Sequence, residues 1–290
     1  MKIRIGTRGS RLALIQAEMV ENAIRSAFPA AETELVKITT KGDRVTDRPI
    51  DQIGGRGVFI GEIEAALASG QIDAAVHSAK DMAISLAPGT VIGAVLPRAC
   101  PLDTLVIRRE IAEKLSADPL GKYRVGTSSN RRKNAAARLL PNSVFADIRG
   151  NVDTRLQKLH SGEYDCIMLA QAGLSRLGMA EDPRFVFRRL TPEESLPAPC
   201  QGIIAVQSRT GEFAEILGKI TDQAALICFE TEREVLRLLN AGCSTPVGAL
   251  AELINGELRL SVTLDQRRLI SGSAPADERF ALAERLVRQL

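Results

Sequence analysis

A strand–turn–helix pattern occurs twice in this chain, and it restricts the possible folds more than any single motif does. Ile3-Arg4-Ile5-Gly6-Thr7 aligns with Tyr123-Arg124-Val125-Gly126-Thr127. Ser69-Gly70-Gln71-Ile72-Asp73 aligns with Ser161-Gly162-Glu163-Tyr164-Asp165. Between these pairs, Thr40-Lys41-Gly42-Asp43 aligns with Ile148-Arg149-Gly150-Asn151. In each copy a short strand runs into a polar turn and an amphipathic stretch. A Ser-Gly pair later closes a helix before the next apolar strand. Leu12, Ile15, Met19 and Ala23 recur at helical spacing, as do Leu156 and Leu159. Each copy therefore reads strand, helix, strand, turn, helix, strand: an α/β lobe with right-handed crossovers.

Proline marks two passages between the copies. Pro97 and Pro101 lie on the way out, and Pro192, Pro197 and Pro199 on the way back. The segment Gly202 to Gln207 reads as a strand that returns to the first lobe. Residues 1–97 with 199–213 are expected to form one lobe and 101–191 the second. Two linkers between two lobes make a hinge, with the ligand site in the cleft. The remainder, 215–290, has another order. A helix is expected near Ala224 to Asn240, strands at Val247 to Leu253 and Leu258 to Leu264, and a last helix from Asp277. That is a small α+β domain.

Composition excludes several functions. A net charge of +3 with no basic block gives no case for nucleic acid or a membrane surface. Aromatic residues are 3% with no Trp, too few for base-stacking platforms. The N-terminus is charged at once and lacks an apolar signal core, and no apolar run approaches the ~20 residues of a membrane span. Five cysteines without paired spacing imply reduced thiols, so a cytoplasmic setting is expected. With two His and no Cys-x-x-Cys, no metal is expected.

The chemistry is concentrated in the turns after strands, which share one end of an α/β sheet. The first lobe supplies Arg4, Arg8, Ser10 and Arg11 there. The second supplies Thr127, Ser128, Ser129, Arg131 and Arg132, then Arg149, Gly150, Asn151 and Arg155. Ser128 or Ser129, and Asn151, suit helix N-caps. Free N–H groups at helix starts attract anions, and guanidinium groups bind carboxylates in a bidentate manner. Any one arginine could be half of a surface ion pair; the set at repeated positions argues for an anionic ligand. Amid these cations lies His77-Ser78-Ala79-Lys80-Asp81. Its carboxylate is either a salt-bridge partner or the group that stabilises a cation in the cleft, and spacing alone does not choose. Gly242-Cys243-Ser244-Thr245-Pro246 offers a loop thiol, which could equally be a small loop residue. An anion receptor and an enzyme acting on a polycarboxylate both remain open. Gly54-Gly55-Arg56-Gly57, in a glycine-dense loop, lacks the spacing of a P-loop.

The sequence resembles the porphobilinogen deaminase family over nearly its whole length. The residues that carry the resemblance are Gly6-Thr7-Arg8-Gly9-Ser10, Gly54-Gly55-Arg56-Gly57-Val58-Phe59, His77-Ser78-Ala79-Lys80-Asp81 and Gly126-Thr127-Ser128-Ser129-Asn130-Arg131-Arg132. They continue with Arg149-Gly150-Asn151-Val152-Asp153-Thr154-Arg155-Leu156, the run from Leu169 to Gly178, Ser195-Leu196-Pro197-Ala198, and Gly242-Cys243. The resemblance implies two lobes like those of type II periplasmic binding proteins plus the small third domain. It implies a dipyrromethane cofactor held by a thioether to Cys243, and hydroxymethylbilane synthase activity in tetrapyrrole biosynthesis. Four porphobilinogen units would join the primer with loss of ammonia, and hydrolysis would release hydroxymethylbilane. It further implies a monomer.

Each pyrrole carries an acetate and a propionate, which explains the cations. Arg8, Ser10, Ser78, Lys80, Thr127, Ser128, Ser129, Arg131, Arg132, Arg149, Gly150, Arg155, Arg176 and Gln201 match family positions for these carboxylates, with Arg56 on the loop. Asp81 matches the catalytic carboxylate, expected to be buried beside developing positive charge. Five residues depart from the usual pattern: Gln52, Arg56, Ala83, Asn130 and Cys200. Cys200 stands where glycine is usual and brings a second thiol toward the expected cleft.

Overall fold

The computed structural model describes residues 2–40, 60–242 and 245–290, arranged as two compact units. The first unit holds Met1–Ala99 and Ile203–Glu230, and the second Cys100–Gly202 and Thr231–Leu290.

The first unit runs β1 (Lys2–Arg8), α1 (Arg11–Ala27), β2 (Glu32–Ile38), α2 (Gly61–Ala68), β3 (Ala74–Ser78), a single turn Ala79–Asp81, and β4 (Thr90–Val95). The chain then passes through the other unit and returns as β10 (Ile204–Arg209) and α7 (Ala214–Lys219). Sheet order is β2-β1-β3-β10-β4. β1 is parallel to both neighbours, and β10 is antiparallel to β3 and β4. The return strand expected from the sequence is thus present. One face of the sheet packs Ile3, Ile5, Val76 and Val206 against Ala17, Val20 and Ile24 of α1 and Leu217 of α7. The other face packs Ile72 and Ala75 against Ile63 and Leu67 of α2.

The second unit contains β5 (Asp103–Arg108), α3 (Arg109–Ala117), β6 (Arg124–Gly126), α4 (Asn130–Leu139), β7 (Val144–Ala146), α5 (Val152–His160), β8 (Cys166–Ala170), α6 (Gln171–Arg176) and β9 (Phe185–Arg189). Its sheet order is β7-β6-β8-β5-β9, with β5 antiparallel to both neighbours. The two sheets have one topology, that of the type II periplasmic-binding-protein lobe, in which one antiparallel strand comes from the far side of a crossing.

The repeat extends to single hydrogen bonds. Arg4 N–H donates to Asp73 Oδ2 at 2.9 Å, and Arg124 N–H to Asp165 Oδ2 at 2.8 Å. Arg209 Nη2 meets Asp73 Oδ1 at 3.0 Å, and Arg108 Nη2 meets Asp165 Oδ1 at 3.0 Å. Gly6 and Gly126 are small for the same reason. A Cβ on Gly6 would lie 2.2 Å from Ile72 Cδ1, and one on Gly126 2.8 Å from Tyr164 Cδ1.

After α8 (Gln223–Leu238) comes a meander of β11 (Gly248–Ile254), β12 (Glu257–Thr263) and β13 (Ile270–Pro275), covered by α9 (Arg279–Val287). This small C-terminal sheet is separate from the two five-stranded sheets. Strand β13 escapes a reading by periodicity because Ile-Ser-Gly-Ser-Ala-Pro has one large apolar residue. No helix among the described residues is long and apolar enough to cross a membrane.

Candidate functional site

In the first lobe the strand ends β1 and β3 carry the expected groups. Ser10 caps α1 by accepting from Ala13 N–H at 3.4 Å, and Arg8 before it is half-buried. β3 ends at Ser78, whose hydroxyl lies 2.9 Å from Gln16 Nε2 and 3.0 Å from its Oε1. The next N–H, of Ala79, donates to Ile203 O at 3.0 Å, and Met82 N–H closes the turn on Ala79 O at 3.2 Å. Met82 is buried and pins the turn to the core, which leaves Lys80 half-buried and Asp81 exposed. The buried carboxylate expected from the sequence is therefore a surface one. It stands on a turn because Ser78 and Ala79, not Asp81, are tied inward.

In the second lobe Ser129 is the cap of α4, accepting from Arg132 N–H at 3.5 Å. Thr127 is buried and accepts Ser129 N–H at 3.3 Å. Ser128 donates to Ile148 O at 3.0 Å and accepts from Ile148 N–H at 3.1 Å. That pair ties this turn to Arg149-Gly150-Asn151. Gly150 has φ +106°, a left-handed conformation that a side chain would strain, and its carbonyl accepts Arg155 Nε at 2.8 Å. Arg149 is half-buried, and Asn151 precedes α5 without a side-chain cap bond.

Arg131, Arg132 and Gln201 converge on Asp103, which has no exposed surface. Arg131 Nη1 lies 2.6 Å from Asp103 Oδ2 and 2.8 Å from Leu196 O. Arg132 reaches Oδ1 with Nη2 at 2.8 Å and Nε at 3.0 Å. Ser195 Oγ donates to Oδ2 at 2.9 Å and Gln201 Nε2 to Oδ1 at 3.0 Å. Burial opposes the charged carboxylate, yet the two guanidinium groups beside it hold Asp103 far below the usual range. Two cations share one anion, which leaves the cluster a net positive charge. Sequence reasoning missed Asp103 and Ser195 as site residues. The available signal was an acidic residue opening an otherwise apolar strand.

Residues 3–215 match the family described as porphobilinogen deaminase, dipyromethane cofactor binding domain, and residues 226–271 match the porphobilinogen deaminase C-terminal domain. The chain belongs to the porphobilinogen deaminase family. It is 43% identical over 295 residues to porphobilinogen deaminase from Roseiflexus sp. (strain RS-1), covering 98% of this chain and 95% of that one. It is 43% identical over 260 residues to the porphobilinogen deaminase of Ruminiclostridium cellulolyticum, covering 89% and 85%. Among solved structures it is similar to the BenM effector binding domain with its effector benzoate (TM-score 0.44, 15% identity, covering 82% and 93%) and to an ancestral arginine-binding protein bound to arginine (0.41, 14%, 81% and 92%).

The dipyrromethane of this family bears carboxylates, and Arg176, like Arg108, has a buried Nε donor suited to such a group. Arg176 gives Nη2 to Gly202 O at 2.7 Å, but its buried Nε has no partner among the described residues. Burial pushes the guanidinium down to about 10, the direction a neighbouring carboxylate would reverse. Cys243 and Arg56 lie outside the described residues, as do Gln52 and the Lys41-Gly42-Asp43 turn. Cys200 is buried with φ +62°, the left-handed region where glycine is favoured. Its N–H donates to Glu232 Oε2. This explains why glycine is usual there and corrects the expectation of a thiol facing the site.

Proposed function

We propose that this chain is a hydroxymethylbilane synthase, a cytoplasmic monomer that joins four porphobilinogen units to a dipyrromethane on Cys243 and releases the tetrapyrrole by hydrolysis. The observation that carries the reading is Arg176, a half-buried guanidinium whose buried Nε lacks a partner among the described residues, in a chain of this family. Arg176, Arg149 and Arg155 would hold acetate and propionate groups, with Ser128 and Ser129 fixing the turns between them. Arg131 and Arg132 would add the excess positive charge of their cluster on Asp103. Arg8, Ser10, Ser78 and Lys80 would do the same in the first lobe, and Arg56 from its loop. When bound, the dipyrromethane supplies the free α-carbon to which the first unit is joined.

Asp81 does the remaining work. Departure of ammonia from the aminomethyl group leaves the substrate pyrrole electron-poor, and a carboxylate held at that ring lowers the barrier by about 3 kcal/mol or more. When that methylene carbon is joined to the primer, an Asp81 carboxylate oxygen would take the proton released at the joining carbon. Lys80, next to it, would bind a substrate carboxylate.

Intact mass under denaturing conditions tests the attachment. The wild-type chain should exceed its sequence mass by one dipyrromethane, and Cys243→Ala should have the bare mass and no activity. A wild-type chain of bare mass that binds carboxylates reversibly would be a receptor, not this enzyme.

A further inference from the structure

His77 is buried in β3, immediately before Ser78. Its Nε2 lies 3.0 Å from Gln207 Oε1. Gln207 directs Nε2 at both Glu64 Oε1 (2.9 Å) and Thr90 Oγ1 (2.7 Å). Both amide hydrogens are thus engaged, and Oε1 can only accept. His77 Nε2 must then be the donor, so the ring is held as its Nε2–H tautomer. Ala87 closes the relay, giving its N–H to Glu64 Oε1 at 3.2 Å and accepting Thr90 Oγ1 at 2.7 Å.

The internal repeat shows that the fold does not require this relay. Ile5 pairs with Ala74 and Val125 with Cys166, which aligns β3 with β8 and His77 with Leu169. Ile204 pairs with Ser78 and Asp103 with Ala170, which aligns Gln207 with Val106. Arg209 pairs with Thr90 and Arg108 with Phe185, which aligns those two. Ser69 and Ser161 end their helices with the same bonds, which aligns Glu64 with Leu156. Leu169, Val106, Phe185 and Leu156 belong to one buried apolar cluster. The same backbone is packed with four hydrophobic side chains in one lobe and with a polar relay in the other. A buried hydrogen-bonded network gains little over apolar packing, and it imposes one arrangement of its members.

We propose that His77 is a positioning residue: held by Gln207, Glu64 and Thr90, it fixes the end of β3 from inside the sheet and so places the Ala79–Asp81 turn for catalysis. Residues 77, 78 and 79 are then tied successively to Gln207, Gln16 and Ile203, immediately before Lys80 and Asp81. This inference rests on Asp81 being the catalytic carboxylate.

The test copies three of these four second-lobe residues into the first in the full-length enzyme, as Glu64→Leu with His77→Leu and Gln207→Val, and keeps Thr90. The triple variant should fold with its covalent mass excess, unfold no earlier than wild type, and lose about 10–100-fold in kcat with KM within about twofold. His77→Leu alone should also lose kcat, and His77→Gln, which keeps a donor toward Gln207, should recover most of it. With only His77 and His160 in the chain, ¹⁵N NMR of labelled imidazoles should show His77 protonated at Nε2. A triple variant with wild-type kcat, a loss confined to KM, equal losses in His77→Leu and His77→Gln, or an Nδ1–H ring would each overturn the proposal. If the triple variant does not fold, the two single variants decide. Asp81→Asn in the same assay should lose at least about a hundredfold. A fully active Asp81→Asn would overturn the underlying reading, whereas an inactive one beside a fully active triple variant would overturn only the role of His77.

Discussion

The two lobes share strand order, helix caps and an arginine–aspartate clasp, yet each buries polar groups where the other is apolar. The first lobe keeps His77, Gln207 and Glu64 where the second has Leu169, Val106 and Leu156. The second keeps Arg131, Arg132 and Asp103. Alignment of the caps Ser10 and Ser129, and of the register at Ser78 and Ala170, puts Leu12, Ala13 and Ile204 at those places in the first. Neither network is therefore needed to make the lobe. Each is an addition to a fold that stands without it. One is uncharged at its centre and leads to the turn bearing Asp81; the other is ionic and presents positive charge.

The largest effect expected from this contrast is at Asp103. Removing one partner of a buried ion cluster leaves uncompensated charge and costs about 3–5 kcal/mol. Asp103→Ala should lose that much in denaturant unfolding. Replacing the whole cluster by its first-lobe counterparts (Asp103→Ile, Arg131→Leu, Arg132→Ala) should recover most of the loss while abolishing retention of the primer. If Asp103→Ala costs less than about 1 kcal/mol, the cluster is not the organised network its distances describe.

The contrast also tells what a sequence can and cannot disclose. The repeat, its turn residues and the returning strand were legible, because glycine, serine and apolar spacing report local backbone geometry. The N-cap was narrowed to Ser128 or Ser129, and the structure chose Ser129 because Ser128 is engaged by Ile148. Asp103 and the relay around His77 were not legible. Their members lie far apart in the chain, and nothing local marks an aspartate or glutamine that pairs across more than a hundred positions, as Gln207 does with Glu64. The exposure of Asp81 was missed for a related reason: the groups that tie its turn inward, Gln16 and Ile203, are on other elements.

Acid should separate the lobes next. Burial pushes His77 down to about 4, partly opposed by Gln207, Glu64 and Asp81. Its pKa in the unfolded chain is near 6.5. Between these values the unfolded state binds more proton, so stability is full above about pH 6.5 and declines as pH falls toward 4. The decline amounts to at most about 3 kcal/mol. Asp103 is shifted in the same direction but over a lower pH window: its contribution persists until pH falls below the ordinary carboxylate range. Hydrogen exchange read peptide by peptide at pH 7 and pH 5 should show protection lost around β3 and β10 and retained around β5 and β8. The slope should vanish in His77→Leu. Equal losses in both lobes would show that the His77 environment is not what distinguishes them.

The smallest effect concerns two buried cysteines whose surroundings the repeat and the crossing define differently. Cys166 sits in the middle of the second sheet, aligned with Ala74 of the first, and burial pushes its thiol up to about 12. Cys200 sits on the return crossing with φ +62°. In the strand, Cys166→Gly removes a packed side chain and adds backbone freedom to the unfolded chain, and should cost about 2–3 kcal/mol. At Cys200 the same losses are offset by about 1–2 kcal/mol of left-handed strain that glycine relieves. Cys200→Gly should therefore change stability by no more than about 1 kcal/mol. The glycine keeps the N–H that Glu232 accepts, so the crossing should hold its shape. Activity and the covalent mass excess should both survive, because a buried thiol on a fastened crossing cannot carry a primer that lengthens. Peptide mapping that found the dipyrromethane on the Cys200 peptide, or a Cys200→Gly chain of bare mass, would overturn the assignment to Cys243. A cost as large as that of Cys166→Gly would instead refute the strain at position 200.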